Sequence, residues 1–315
     1  MGWFSKNWDP KGKHCYVTGG SSGLGLAVAI ELVKRGANVS IVARTEKTLQ
    51  DALKTLETHR VSPEQKLAYY SHSLNTVTGA KEALEAACAP FNGQVPDAAF
   101  LVAGASAPKF FVEMDEADLR KGMDDGYWIQ AFTAFQLVKM TASQQFRGGK
   151  IVFVGSTLSY MSFVGWGSYS PAKHALRGLA DTLRNECLLY GTDVHMFFAG
   201  TMKTPGYETE MKTKPKITVD IEGDDGYSVE GSAKKMLSGV SAGQAHIAYD
   251  LVTSIFRATT RGSTPGHNNI LTEIGLTLIG LFGLPVFRWI ADRQVRAHAA
   301  EHTEYLKSKG IIKSS

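Results

Sequence analysis

Apolar, β-rich runs alternate with helical patterns along most of this chain, and that alternation limits its possible folds more than any other feature. "HCYVTGG" precedes a helical stretch reaching Arg35, "NVSIVAR" precedes "EKTLQDALKTLETH", and "KLAYYSHS" precedes "TGAKEALEAACAP". Strands separated by helix-length connections pair in parallel, with the crossover helices laid against the sheet. The pattern continues through "DAAFLVAGAS", a helical region from Asp115 to Gln145, "GKIVFVGS", a helix opening near Tyr169, and "TDVHMFFAG". At least six strands, each followed by a helix, predict one doubly wound parallel sheet in a three-layer α/β/α domain. After Gly200 the alternation lapses. Residues 203–231 read as a long polar loop, placed past a strand end where it would serve as a lid over a ligand site, with a plain surface loop as the alternative. Helices are expected to resume near Glu230 and Ala248.

The first strand runs through "YVTGGSSGLGLAVAIELVKRG" into an amphipathic helix. Gly19, Gly23 and Gly25 have the spacing that lets a backbone approach a pyrophosphate while the helix packs on the strand. The helix N-terminus then offers free N–H groups to the phosphates, and Ser21 and Ser22 add hydroxyl donors. A Rossmann-like dinucleotide site is expected, the alternative being a glycine turn that only packs. At the end of the second strand an NAD-selective site usually offers a carboxylate, whereas this chain reads "IVARTEK" with Arg44 and Lys47. Cations there pair with a 2′-phosphate and favour NADP(H), unless Arg44 is simply solvated.

Tyr169 and Lys173 lie four residues apart at the start of a helix, on one face and one turn apart. Alone, such a pair is most often an ordinary helix surface. Ser156, however, ends the strand "IVFVGS" thirteen residues earlier, and in a parallel sheet strand ends and helix starts share one edge. With the glycine motif, Ser156 and Tyr169-x-x-x-Lys173 present in order, the chain resembles the short-chain dehydrogenase/reductase family over about residues 10–260. The resemblance implies an oxidoreductase in which Tyr169 donates a proton, Ser156 hydrogen-bonds the carbonyl oxygen and Lys173 also binds the nicotinamide ribose. It implies cofactor contacts from Leu24, Leu74, Ala103, Gly104, Gly200, Thr201 and Thr204 as well. An ammonium ~4 Å from the phenol, at an effective dielectric of ~20, contributes ~4 kcal/mol, which is expected to bring the tyrosine down toward working pH.

Several family positions are altered. "LVAG" keeps Ala103 and Gly104 but lacks the two amides usual before them, Ser73 replaces an adenine-contacting Asp, and Ala199 replaces a proline before Gly200. The asparagine that often completes a proton relay aligns with Gly126 in "MDDGYWIQ". A water or a backbone carbonyl would have to stand in for it, or the enzyme is slow. Two other readings therefore remain open: a reductase of another bulky ketone of steroid or retinoid type, and a non-catalytic NADP-binding protein.

The segments "TPGYETEMKTKPKITVDIEG", "MDDGYWIQAFTAF" and "YSPAKHALRGLADTLRNE" resemble the branch of the family that acts on long-chain sphingoid ketones. That resemblance implies a place in sphingolipid metabolism, at the endoplasmic reticulum membrane with the catalytic domain facing the cytosol. A dozen methylenes at ~0.8 kcal/mol each make transfer of such a lipid through water cost on the order of 10 kcal/mol, so the enzyme should meet it at a membrane surface. Residues 261–315 are expected to be a membrane-associating tail. Its apolar core, Ile274 to Phe287, is fourteen residues long, bracketed by Glu273 and Arg288, and interrupted by Gly275, Gly280, Gly283 and Pro285. Such a segment is short for a span and suits an interfacial or re-entrant anchor, ahead of a buried or oligomer-contact helix. The polar end after it is either helical against anionic headgroups or a solvated tail.

A net charge of +4 is dispersed, and its densest run, Lys212, Lys214 and Lys216, is interleaved with Thr and Pro, so nucleic acid binding is not expected. Cys15, Cys88 and Cys187 form no Cys-x-x-Cys unit, which suggests neither a metal site nor a disulfide framework and fits a reducing compartment. The N-terminal segment, residues 1–9, has no signal-peptide core; its Trp3, Phe4 and Trp8 would touch an interface or pack on the domain. The family resemblance implies a homo-oligomer, dimer or tetramer, built on the helices near residues 126–145 and 168–189.

Overall fold

The computed structural model describes residues 8–223, 226–260, 262–266 and 269–312; Trp3 and Phe4 lie outside them. Seven strands, β1 (His14–Thr18), β2 (Asn38–Ala43), β3 (Leu67–Ser71), β4 (Ala98–Leu101), β5 (Lys150–Ser156), β6 (Asp193–Ala199) and β7 (His246–Ala248), form one sheet in the order β3-β2-β1-β4-β5-β6-β7. Every pairing is parallel. The order reverses between β1 and β4, which opens a crevice at their carboxyl ends.

Among the described residues twelve α-helices connect and follow the strands: α1 (Gly23–Lys34), α2 (Glu46–Glu57), α3 (Val77–Cys88), α4 (Glu116–Met123), α5 (Ile129–Ser143), α6 (Tyr169–Glu186), α7 (Pro205–Glu210), α8 (Lys216–Glu222), α9 (Val229–Ser241), α10 (Leu251–Thr260), α11 (Ile270–Ala297) and α12 (Ala299–Ser308). Period-2 alternation sends successive strand residues to opposite faces. Val17, Ile41, Val152 and Phe197 meet α1, α2 and α9 on one side, while Tyr16, Val42, Phe153 and Phe198 meet α3, α5 and α6 on the other. With both faces covered, the strands read as continuous apolar runs. Trp8 packs on the first of these cores and accepts a bond from Ser241 through its carbonyl oxygen.

The structure differs from the expectation in three places. β7 escaped the sequence reading because three residues carry too little periodicity. The stretch from residue 203 to 231 is not a featureless loop but holds α7 and α8. Thr204 caps α7 ahead of Pro205, and the pairs Lys214–Glu210 and Lys216–Asp220, at helical spacing, hold the turns together.

The third difference is the tail. Ile270 to Ala297 is one continuous helix of 28 residues with Pro285 inside it, about 42 Å at 1.5 Å per residue. Tertiary contact outweighs the local breakers. Leu276, Gly280 and Ala291 are buried, Leu284 and Phe287 pack on the second core, and a Cβ at position 280 would fall 2.3 Å from Thr259. Glu273, at the start of the apolar run, is buried and paired with the buried Arg257, Nη1 to Oε2 at 3.1 Å. By length and composition α11 could cross a membrane, yet it is docked along the domain. The end of the chain forms α12, where Tyr305 donates to Glu113 Oε1 at 2.6 Å.

Candidate active site

The crevice at the carboxyl edge of the sheet is a cavity of 720 Å³. At one end the turn after β1 is shaped by glycine. Gly19 has φ +67°, and a Cβ there would sit 3.0 Å from the Ala103 backbone; a Cβ at Gly25 would lie 2.2 Å from the Gly19 carbonyl oxygen. The backbone is therefore open on the cavity side and closed to any side chain on the other. Ser22 caps α1 without a side-chain bond, leaving the helix N–H groups for a ligand. Ser21, Ser22, Gly23 and Leu24 continue this wall, and Gly200, Thr201 and Thr204 close it from the β6 side. Arg44 and Leu74 line it at the ends of β2 and β3, and Arg44 makes no ion pair among the described residues. Lys47 is exposed on the first turn of α2 and is the one expected cofactor residue that does not line the cavity. These residues fit a dinucleotide, with a glycine cradle and helix terminus for the pyrophosphate.

At the other end Ser156, Tyr169 and Lys173 converge as the spacing predicts. Ser156 is the last residue of β5, paired with Ala199 of β6, and Tyr169 is the first residue of α6. Lys173 is buried, with its ammonium 5.5 Å from the Tyr169 ring centroid and donating to the Val154 carbonyl oxygen at 3.0 Å. Burial pushes its pKa down to about 8. The phenol does not follow the expectation that lysine would bring it down. Burial, then the negative charge of Glu210, push it above its usual value; the Ser156 hydroxyl opposes them, and Glu222 adds to the rise. Burial is the largest cause, and the two carboxylates, which sequence could not bring near the tyrosine, add to it. A phenol so placed stays protonated at neutral pH, as a proton donor to a forming alkoxide must.

The match of a family model decides the kinship: the short chain dehydrogenase family matches residues 13–215. The chain belongs to the short-chain dehydrogenase family. It is 42% identical over 309 residues to the 3-ketodihydrosphingosine reductase of Cryptococcus neoformans var. neoformans serotype D, covering 98% of this chain and 91% of the relative. The 3-ketodihydrosphingosine reductase of Dictyostelium discoideum is 33% identical over 285 residues, 87% of this chain and 85% of its own. A short chain dehydrogenase/reductase of Burkholderia phymatum, solved with NAD, superposes with a TM-score of 0.70 at 16% identity over 83% of this chain and 99% of its own. That likeness is one of fold.

In this short-chain dehydrogenase the position of the missing relay amide is closely packed. A Cβ on Gly126 would lie 2.7 Å from that of Ala172, so α6 packs directly on the position, within a π-helical turn spanning Asp124–Trp128. One turn later Gln130, fully buried, bridges the gap where β5 outruns β4: its Nε2 donates to Val154 O at 3.0 Å and its Oε1 accepts from Val154 N at 3.1 Å. The carbonyl that holds Lys173 is thereby fixed. Thr18 likewise went unnoticed; its hydroxyl accepts from Ala103 N at 3.1 Å and ties β1 to the strand across the crevice. Thr18 opens the glycine motif, but the contact its hydroxyl makes, like those of Gln130, becomes evident only from the pairing of β4 with its neighbours.

Proposed function

We propose that this enzyme reduces the ketone of 3-ketodihydrosphingosine with NADPH to give dihydrosphingosine. The observation that carries this reading is the likeness to reductases of that name along nearly the full chain, at 42% identity. The cavity supports it: beyond the Tyr169 hydroxyl it is walled by Leu158, Met161, Phe163, Val252, Phe256 and Phe287, an apolar arm suited to an alkyl chain. NADPH, when bound, supplies the hydride to the carbonyl carbon. Ser156 donates a hydrogen bond to the carbonyl oxygen, and Tyr169 gives it a proton as charge develops. Lys173, anchored on Val154 O, stabilises the phenolate left behind and reaches the nicotinamide ribose. Arg44 favours the 2′-phosphate of NADPH over NADH.

The outer face of α11 supports work at a bilayer. Leu271, Leu278, Phe282 and Trp289 are more than half exposed, while the opposite face is docked on the domain and contributes Phe287 to the apolar arm. α11 therefore lies on the membrane surface rather than crossing it, and the lipid enters beside it. Three free, buried cysteines are compatible with a cytosol-facing domain at the endoplasmic reticulum. Exposed Trp128, Phe135, Leu188 and Leu189 on and near α5 and α6 provide apolar surface for a homo-oligomer. NADPH oxidation by the purified protein in liposomes should depend on added 3-ketodihydrosphingosine; turnover of steroid or retinoid ketones instead would replace this reading.

A further inference from the structure

We propose that Glu210 and Glu222, on the two short helices of the lid, form a subsite for the ammonium group of the substrate. The inference rests on the reading above and deepens it. A 3-ketosphingoid base carries its amine on the carbon next to the carbonyl carbon. A carbonyl oxygen seated between Ser156 and Tyr169 therefore fixes a cation within a few bonds of the phenol.

Both carboxylates face that position. They line the cavity, their side chains are only 14% and 13% exposed, and both act on the Tyr169 phenol through their charge. Each is held in place. Glu210 accepts from Lys214 Nζ at 3.0 Å through Oε1 and from the Ser106 hydroxyl through Oε2. Glu222 accepts from Trp166 Nε1 at 2.7 Å through Oε1, and from Lys214 through Oε2. Lys214 is 2% exposed, with its ammonium 5.0 Å from the Trp166 ring centroid.

Among the described residues one lysine serves two carboxylates, leaving this wall short of one positive charge. Burial pushes the Glu222 carboxyl above its usual range even with Lys214 beside it, and a cation arriving there would favour its ionised form. The other cations that line the cavity are engaged or remote: Lys173 is bonded to Val154 O behind the tyrosine, and Arg44 is at the cofactor end. An incoming ammonium supplies the missing charge in a site largely shielded from water, where such a pairing discriminates strongly against a neutral analogue. The lid sequence "KTKPKIT" then has a physical role, in which Lys214 splays two acids toward the substrate without neutralising both.

The test compares 3-ketodihydrosphingosine with its desamino counterpart, the same hydroxyketone lacking the amine, as NADPH-oxidation substrates of the full-length enzyme in liposomes. Wild type is expected to favour the amine-bearing ketone by roughly 30-fold or more in kcat/KM. In Glu210→Gln, Glu222→Gln and the double variant that ratio should collapse toward unity, with thermal melting and NADPH-fluorescence titration reporting on the fold. A wild-type enzyme that reduces both ketones equally overturns the subsite and leaves the reductase reading intact, whatever the variants do. Variants that lose both ketones in proportion, keeping the ratio, overturn it too. A wild-type enzyme that reduces neither ketone overturns the reductase reading, and the subsite with it.

Discussion

Lys173 has its pKa pushed down to about 8 by burial, so it is an ammonium at neutral pH and loses its proton as the pH rises through that value. The ammonium form is the one that stabilises a phenolate at Tyr169, hence kcat/KM for ketone reduction should hold steady below about 8 and fall above it. A profile that stays flat well into the alkaline range would remove Lys173 from the proposed role. At the other end of the cavity Arg44→Ala should weaken NADPH binding by ~10–100-fold, the loss of one charge-assisted contact, while NADH binding hardly changes. Fluorescence titration with both cofactors checks this. The residues that sequence located, Gly19, Ser156, Tyr169 and Lys173, belong to local motifs whose spacing maps directly onto a turn, a strand end or a helical turn. Gln130, Glu210 and Glu222 could not be read in that way, because they meet the site across contacts between distant segments. The raised pKa of Tyr169 has the same origin, since the burial that chiefly causes it, and the charges of Glu210 and Glu222 that add to it, arise only when distant segments close over the phenol.

Among the elements, the alternation of strands and helices was legible from β1 to β6 because the strands, the half-buried edge strand β3 apart, are buried on both faces and the helices between them are long enough to show their period. Short pieces were not: β7 has three residues, and α7 and α8 depend on caps and ion pairs inside a polar stretch. α11 shows the opposite failing, a helix whose internal Gly and Pro argue for interruption while its docked face holds it together. The contact between the turn at Gly126 and α6 gives a prediction at this scale. Gly126→Asn, which would restore the family's relay residue, should reduce rather than raise activity. Its Cβ would fall 2.7 Å from that of Ala172, the neighbour of Lys173, and overpacking of this kind costs ~1–3 kcal/mol. A lower melting temperature together with a lower kcat is expected, and a gain in kcat at unchanged stability would contradict the account.

For the whole molecule, the cofactor cradle, the proton-donor cluster and the apolar arm occupy one cavity, with Phe287 of α11 in the wall of the apolar arm. The outer face of α11 should then decide membrane contact independently of the chemistry. Phe282→Asp combined with Trp289→Asp, both exposed and away from the docked face, should abolish flotation with anionic liposomes while detergent-dispersed substrate is still reduced. Undiminished flotation would assign membrane contact to another surface. The central claim is hydride transfer to a sphingoid ketone with Tyr169 as acid, and isotopic tracing tests it most directly. The enzyme is given NADPH deuterated at the transferable position together with 3-ketodihydrosphingosine, and the product is analysed by mass spectrometry. The account predicts dihydrosphingosine bearing one deuterium on the former carbonyl carbon, and a yield that drops by ~10²–10⁴-fold in Tyr169→Phe. Unlabelled product, or equal labelling rates with and without the phenol, would contradict it.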